Sequence, residues 1–150
     1  MKLNFFEKLI GSGFYTGYIP FASGTWGSLA ALIIYLIPGF EKPIIIIPAI
    51  IVFIILGILT GNKFDVIYGK DPAECTVDEV VGMWISLLFL PKTFLVVAAA
   101  FISWRAFDII KPSPARQLES LKGGLGIMMD DIVAGLYSLL LLHLILYIFK

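Results

Sequence analysis

Residues 123–135 read GGLGIMMDDIVAG, and they set two adjacent carboxylates, Asp130 and Asp131, directly ahead of an apolar run. From Ile132 to Phe149 no residue is charged, which is the pattern of a helix entering hydrocarbon. A carboxylate near a helix start satisfies free backbone amides and complements the helix dipole. One is enough for that. A second beside it adds repulsion unless a cation offsets it. The pair therefore points to a bound ion, with Gly123, Gly124 and Gly126 giving a flexible approach to it.

The rest of the chain fits a membrane setting. Of 150 residues, 59% are hydrophobic and 15% charged, and the mean hydropathy is +0.97. Soluble domains are typically about 45–50% apolar and about 25% charged. Eleven basic and eleven acidic residues balance, so there is no basic excess with which to bind nucleic acid. A single cysteine, Cys75, excludes an internal disulfide framework. The opening MKLNFFEKLIGSGFYTG has Glu7 among its lysines and makes a poor secretory signal. It reads as an interfacial amphipathic segment with Phe5, Phe6, Leu9 and Ile10 on its apolar side.

Apolar helices are expected at 43–62 and 132–149, with shorter ones at 26–40, 80–91 and 93–104. The last continues to Lys111, where Pro112 and Pro114 stop it. The expected fold is all-α: a compact polytopic membrane helical bundle with about five apolar helices and short interfacial helices, forming a single domain over 1–150. If each run crosses once, Lys2, Lys8, Lys63, Lys70, Arg105, Lys111, Arg116 and Lys122 share one side. Lys42, Lys92 and Lys150 take the other. The positive-inside bias makes the first side cytoplasmic. Every acid except Glu41 falls there too. The expected location is the inner cell membrane, multi-pass, with the active site facing the cytoplasm.

Three further segments carry candidate chemistry. In PFASGTWGS (20–28), Ser23 and Thr25 suit helix caps, while Gly24 and Gly27 leave amides open for an anion. In CTVDEVVG (75–82), Thr76 and Glu79 have capping-box spacing, and Asp78 and Glu79 could equally ligate a hard cation. In WRAFDIIKPSPAR (104–116), Arg105 and Asp108 share a helix face, at a depth where charge is costly and tends to be functional. Lys111 and Arg116 follow on a proline-stiffened turn that suits a phosphate. His143, the only histidine, lies within the last apolar run, which excludes histidine-nucleophile phosphatases and Ser-His-Asp hydrolysis. Cys75 has Val81, not arginine, six positions on, so a cysteine-phosphatase loop is absent. What remains is metal-assisted chemistry run by carboxylates, with cations holding an anion.

Together the segments 23–31, 78–84, 105–116 and 123–135 resemble the phosphatidylglycerophosphatase A family, in order and spacing, over about Gly11 to Gly135. The resemblance implies a Mg²⁺-dependent lipid phosphatase that converts phosphatidylglycerol phosphate to phosphatidylglycerol. It implies an acidic metal centre of Asp78, Glu79, Asp108, Asp130 and Asp131, with Glu79, Asp108 and Asp131 catalytic. Arg105, Lys111 and Arg116 would neutralise the phosphate, and Gly24, Thr25 and Ser28 would contact the substrate through amides or hydroxyls. The implied partners are the phospholipid and the membrane, with no obligatory protein partner. Two other readings stand beside it: a small carrier or channel, and a lipid-binding member of the same fold without turnover. A channel predicts acids spread through the membrane thickness, whereas here they gather at one end.

Overall fold

A proline opens the most apolar helix. Pro43 occupies the first turn of a helix running Pro43–Tyr68, where its missing N–H costs nothing. In the computed structural model, which describes residues 1–150, the chain forms helices and no strands. These are α1 (Phe5–Gly11), a 3₁₀ turn (Thr16–Tyr18), α2 (Ser23–Leu36), α3 (Pro43–Tyr68), α4 (Val77–Ser86), α5 (Phe94–Ile110), α6 (Ala115–Leu118) and α7 (Gly123–Ile148).

Two helices, not five, are long and apolar enough to cross a membrane: α3 and α7, each of 26 residues. At 1.5 Å per residue each reaches about 39 Å, against a hydrocarbon core of about 30 Å. The 14 residues of α2 and the 10 of α4 reach only about 21 and 15 Å. Apolar composition does not distinguish a lipid-facing helix from one sheathed in protein, and α4 is the second kind. All its residues except Glu79 are buried, enclosed by α2, α3, α5 and α7.

The start of α7 also differs from expectation. Helix begins at Gly123, well before Ile132, so Asp130 and Asp131 sit two turns inside it and cap nothing. The glycines are not a flexible approach but a packing surface. Asn62 of α3 accepts a hydrogen bond from the Gly124 amide at 2.8 Å. A side chain on Gly124 would run into the Ile58 carbonyl, and one on Gly61 would stand 2.9 Å from the Gly124 Cα. Small residues here let α3 and α7 touch backbone to backbone, which brings the aspartates close to α4.

Two tryptophans fix the neighbouring helices. Trp84 of α4 donates its indole N–H to the Ala31 carbonyl at 2.9 Å, and Trp104 of α5 donates to Ser28 Oγ at 3.0 Å. Both rings are buried, and each needs such a partner to keep its N–H satisfied away from water. Gly82 gives the Trp104 ring its place on α4. Because α2, α4 and α7 begin where α3 and α5 finish, the acidic and basic side chains of α4, α5 and α7 meet at one end of the bundle.

Candidate functional site

The charged end holds a cavity of about 160 Å³. Ser23 and Gly24 form one wall at the start of α2, and Asp71, Cys75 and Thr76 form another from the loop before α4. Asp78 and Glu79 enter from the first turn of α4, Asp108 from the last turns of α5, and Asp130 and Asp131 from α7. Lys111 completes it. Lys111 ends α5 in a left-handed conformation (φ +50°), which turns the chain at that point.

Three carboxylates from three helices converge. One oxygen each of Glu79, Asp108 and Asp131 lie within 4.8 Å of one another. Arg105 braces two of them through a single nitrogen: Nη1 donates to Glu79 Oε2 at 2.7 Å and to Asp108 Oδ2 at 2.6 Å. Asp131 has no basic partner, and its Oδ2 is buried with no hydrogen bond. Asp78 Oδ1 and Asp130 Oδ1 are buried and unpartnered as well. A buried carboxylate oxygen without a partner costs several kcal/mol if ionised, roughly the penalty a cation would remove.

The electrostatics follow from this crowding. Burial, and then the charge of Asp108, push the Glu79 carboxyl up to about 8, against the opposing pull of Arg105. Burial and then Glu79 hold Asp78 well above the usual carboxylate range. For Lys111 burial works against the charge, but the hydrogen bond from its Nζ to Asp130 Oδ2 at 2.6 Å more than offsets it, and its pKa is raised. Lys111 therefore stays cationic inside the cavity.

A family model described as Phosphatidylglycerophosphatase A matches residues 9–146, nearly the whole chain. The chain belongs to this family. It is 36% identical to phosphatidylglycerophosphatase A of Escherichia coli over 91% of this chain and 81% of that protein. It is 37% identical to phosphatidylglycerophosphatase A of Haemophilus influenzae, over 93% and 88% of the two chains. A protein of Bacteroides thetaiotaomicron named "Putative phosphatidylinositol-3-phosphatase" is 42% identical, over 93% and 92%. No solved structure matches. As a phosphatidylglycerophosphatase A family member, the chain is a phosphatase.

Against the family's implied site, the residues sort by position. The five acids all line the cavity, with Glu79, Asp108 and Asp131 grouped and Asp78 and Asp130 flanking them. Lys111 faces the same space. Arg105 is committed to Glu79 and Asp108, so it braces carboxylates. Arg116 lies on the exposed surface of α6, its Nη2 donating to the Ile110 carbonyl at 3.4 Å, and does not line the cavity. Gly24 lines it; Thr25, half-buried, does not. Ser28 is fully buried beneath, donating to the Gly24 carbonyl at 2.9 Å while accepting from Trp104.

The capping readings also change. Thr76 makes no cap bond; its hydroxyl pairs with Thr16 Oγ1 at 2.9 Å, and Glu79 turns to Arg105 instead of back to the helix start. Ala22, not Ser23 or Thr25, is the N-cap of α2. Asp71, Cys75 and Thr76 were not among the expected site residues. Asp71 sits at φ +49°, and its only sequence signal is the Asp-Pro turn with Pro72.

Proposed function

We propose that this protein is a Mg²⁺-dependent lipid phosphatase that releases the terminal phosphate of phosphatidylglycerol phosphate. The observation that carries the metal is the convergence of Glu79, Asp108 and Asp131 beside unpartnered buried oxygens. The donors are all oxygen, which suits a hard cation. The three oxygens already lie within 4.8 Å of one another, so side-chain movement alone could bring all of them onto one ion. The residues fit the ion.

Glu79, Asp108 and Asp131 would hold it, with Asp130 beside them. Bound there, Mg²⁺ supplies charge stabilisation to the phosphoryl oxygens as they become more negative. Lys111, which lines the same cavity, would pair with a phosphate oxygen and release part of its hold on Asp130. Arg105 fixes Glu79 and Asp108 in register and offsets one of their charges. Asp78 lines the cavity outside the three-oxygen group, and a cation beside it would draw its raised pKa back down and leave it ionised to take the proton of the attacking water. The absence of a side chain at Gly24 leaves room for Glu79 Oε1 itself, which holds that carboxylate in the cluster.

The apolar exteriors of α3 and α7 support a membrane protein, with the cavity at the cytoplasmic surface. Phe5, Phe6, Tyr15 and Tyr18 cluster near the cavity end of the bundle and are exposed there, as an interfacial aromatic belt would be. The diacyl tails stay in the bilayer.

The deciding assay is phosphate release from phosphatidylglycerol phosphate by purified protein, with Mg²⁺ and with EDTA. Release that survives EDTA or Asp131→Asn would sink the proposal, as would none at all. The relation to the Bacteroides protein favours a second substrate reading, phosphatidylinositol 3-phosphate, which presents the same phosphomonoester on a bulkier headgroup. Running both lipids in competition assigns the headgroup.

A further inference from the structure

A lipid phosphomonoesterase must hold a phosphate while the acyl chains remain in an apolar phase. The acidic cavity is too small and too polar for a chain, but an apolar groove lies on the same two helices. α2 packs on α4, and α5 packs on α7 and α4, while α2 and α5 hardly touch apart from the Trp104–Ser28 bond. Between them runs a groove of about 490 Å³, walled by Leu29, Leu32 and Leu36 of α2 and by Phe94, Val97 and Phe101 of α5. Its polar lining is confined to Lys92 and Thr93, at the end away from the acids.

Helical spacing joins the groove to the cavity. Leu36, Leu32, Leu29 and Thr25 recur every three or four residues and form one stripe on α2. On α5 the matching stripe is Phe94, Val97, Phe101, Arg105 and Asp108, and it ends in the carboxylate cluster. Trp104 and Ser28 are both fully buried, so their contact lies beneath the path along these stripes rather than across it. The far end is closed: Lys92 Nζ donates to the Ile37 carbonyl at 3.1 Å and to Glu41 Oε2 at 2.8 Å. From Gly24 to Leu36 α2 rises about 18 Å. One leaflet of hydrocarbon is roughly 15 Å deep.

We infer that the α2/α5 groove seats one acyl chain of the phospholipid whose phosphate enters the cavity, with the Lys92 clasp marking its depth. This rests on the lipid phosphomonoesterase reading above. The occupant is the substrate's own chain because the groove's α5 wall leads straight to the acids. Neither a bulk lipid nor a second copy would need that alignment.

Two measurements test it. In the first, kcat/KM is compared on dipalmitoyl and dihexanoyl phosphatidylglycerol phosphate in the same micelles, for the native protein, Leu32→Trp and Ala98→Trp. The long-to-short ratio should fall at least about tenfold in the variants, the equivalent of losing contact with roughly two methylenes. A ratio within about twofold of the native value overturns the inference. The second uses native protein, so it does not depend on a variant folding or on turnover. Phosphatidylglycerol phosphate and phosphatidylcholine, each with a photoreactive diazirine in one acyl chain, are cross-linked and the adducts mapped. Adducts from the phosphomonoester lipid between Leu29 and Leu36 and between Phe94 and Ile102, in excess over phosphatidylcholine, support it. Equal labelling by the two lipids, adducts confined to α3 and α7, or a cross-linked second copy would refute it. If native protein releases no phosphate from either chain length, the functional reading fails while the mapping still decides the groove.

Discussion

Gly24 has no side chain, and Glu79 Oε1 occupies the place where one would stand. The two residues belong to different helices, α2 and α4, and this approach is what lets Glu79 reach Asp108 and Asp131. Alanine is at least as good a helix former as glycine, so Gly24→Ala should leave folding intact. It should still displace Glu79, and misplacing a reacting group by about 1 Å costs roughly 100-fold in rate. The expected result is an unchanged or slightly raised melting temperature with kcat down about 100-fold.

Asp78 and Asp131 should separate by what their loss removes. Asp131→Asn deletes one of the three converging oxygens and should abolish both Mg²⁺ binding and phosphate release. Asp78→Asn leaves that group whole and removes a proton acceptor, typically worth about 10²–10⁴-fold. Metal titration by calorimetry should then give a near-native affinity for Asp78→Asn alone. Equal loss of affinity in both variants would put Asp78 among the ligands.

Arg105 serves two buried carboxylates with one guanidinium nitrogen. Removing it by Arg105→Ala leaves both uncompensated, which costs on the order of 3–5 kcal/mol. Mg²⁺ bound at the proposed site would neutralise the same oxygens, so its addition should recover much of the lost melting temperature. A variant whose stability ignores Mg²⁺ would argue that the ion binds elsewhere.

The site was partly legible in sequence because acids are rare in so apolar a chain. The pairs Asp78–Glu79 and Asp130–Asp131, with Asp108 beside Arg105, stood out at helix ends, and all five line one cavity. Spacing misled where a distant partner competed. Thr76 and Glu79 have the separation of a capping box, yet Arg105, far along the chain, takes the glutamate. Arg116 is expected at the phosphate from its charge, the proline-stiffened turn and the family resemblance, and nothing local reveals that α6 turns it outward. Gly123 and Gly124 looked like a loop because glycine is a poor helix former, but contact with α3 outweighs that preference. Helix count failed for a related reason: α4 is apolar because it is wrapped in protein, which composition cannot separate from burial in lipid.

Glu79 gives the proposed metal site a pH dependence. Its carboxyl is lifted to about 8 by burial and by Asp108, from an ordinary value of 4.5. Between those values the folded metal-free protein holds a proton that the unfolded chain has lost, so stability declines as pH rises through that window. Binding Mg²⁺ must expel the same proton. Metal affinity should therefore climb from pH 6 to about pH 8 and then level, while the metal-free melting temperature falls. Calorimetry in buffers of different ionisation enthalpy would count the proton. An affinity flat across that range would mean that Glu79 is not a ligand.

The seam between α3 and α7 sets the position of Asp130 and Asp131, and it yields a graded series. In Gly124→Ala the new methyl meets the Ile58 carbonyl, a backbone atom that cannot swing aside. α7 has to lift off α3 and carry the two aspartates with it. Overpacking of this kind costs about 1–3 kcal/mol, and a shift of about 1 Å at the carboxylates costs roughly 100-fold in kcat. Asn62→Ala removes only the hydrogen bond to the Gly124 amide, worth about 1 kcal/mol, and should leave a measurable, weakened enzyme. Leu125→Ala changes an exposed neighbour on the same turn and should retain both stability and turnover. Activity and melting temperature ranked in that order would tie catalysis to the close approach of the two long helices. Full activity in Gly124→Ala would break that tie.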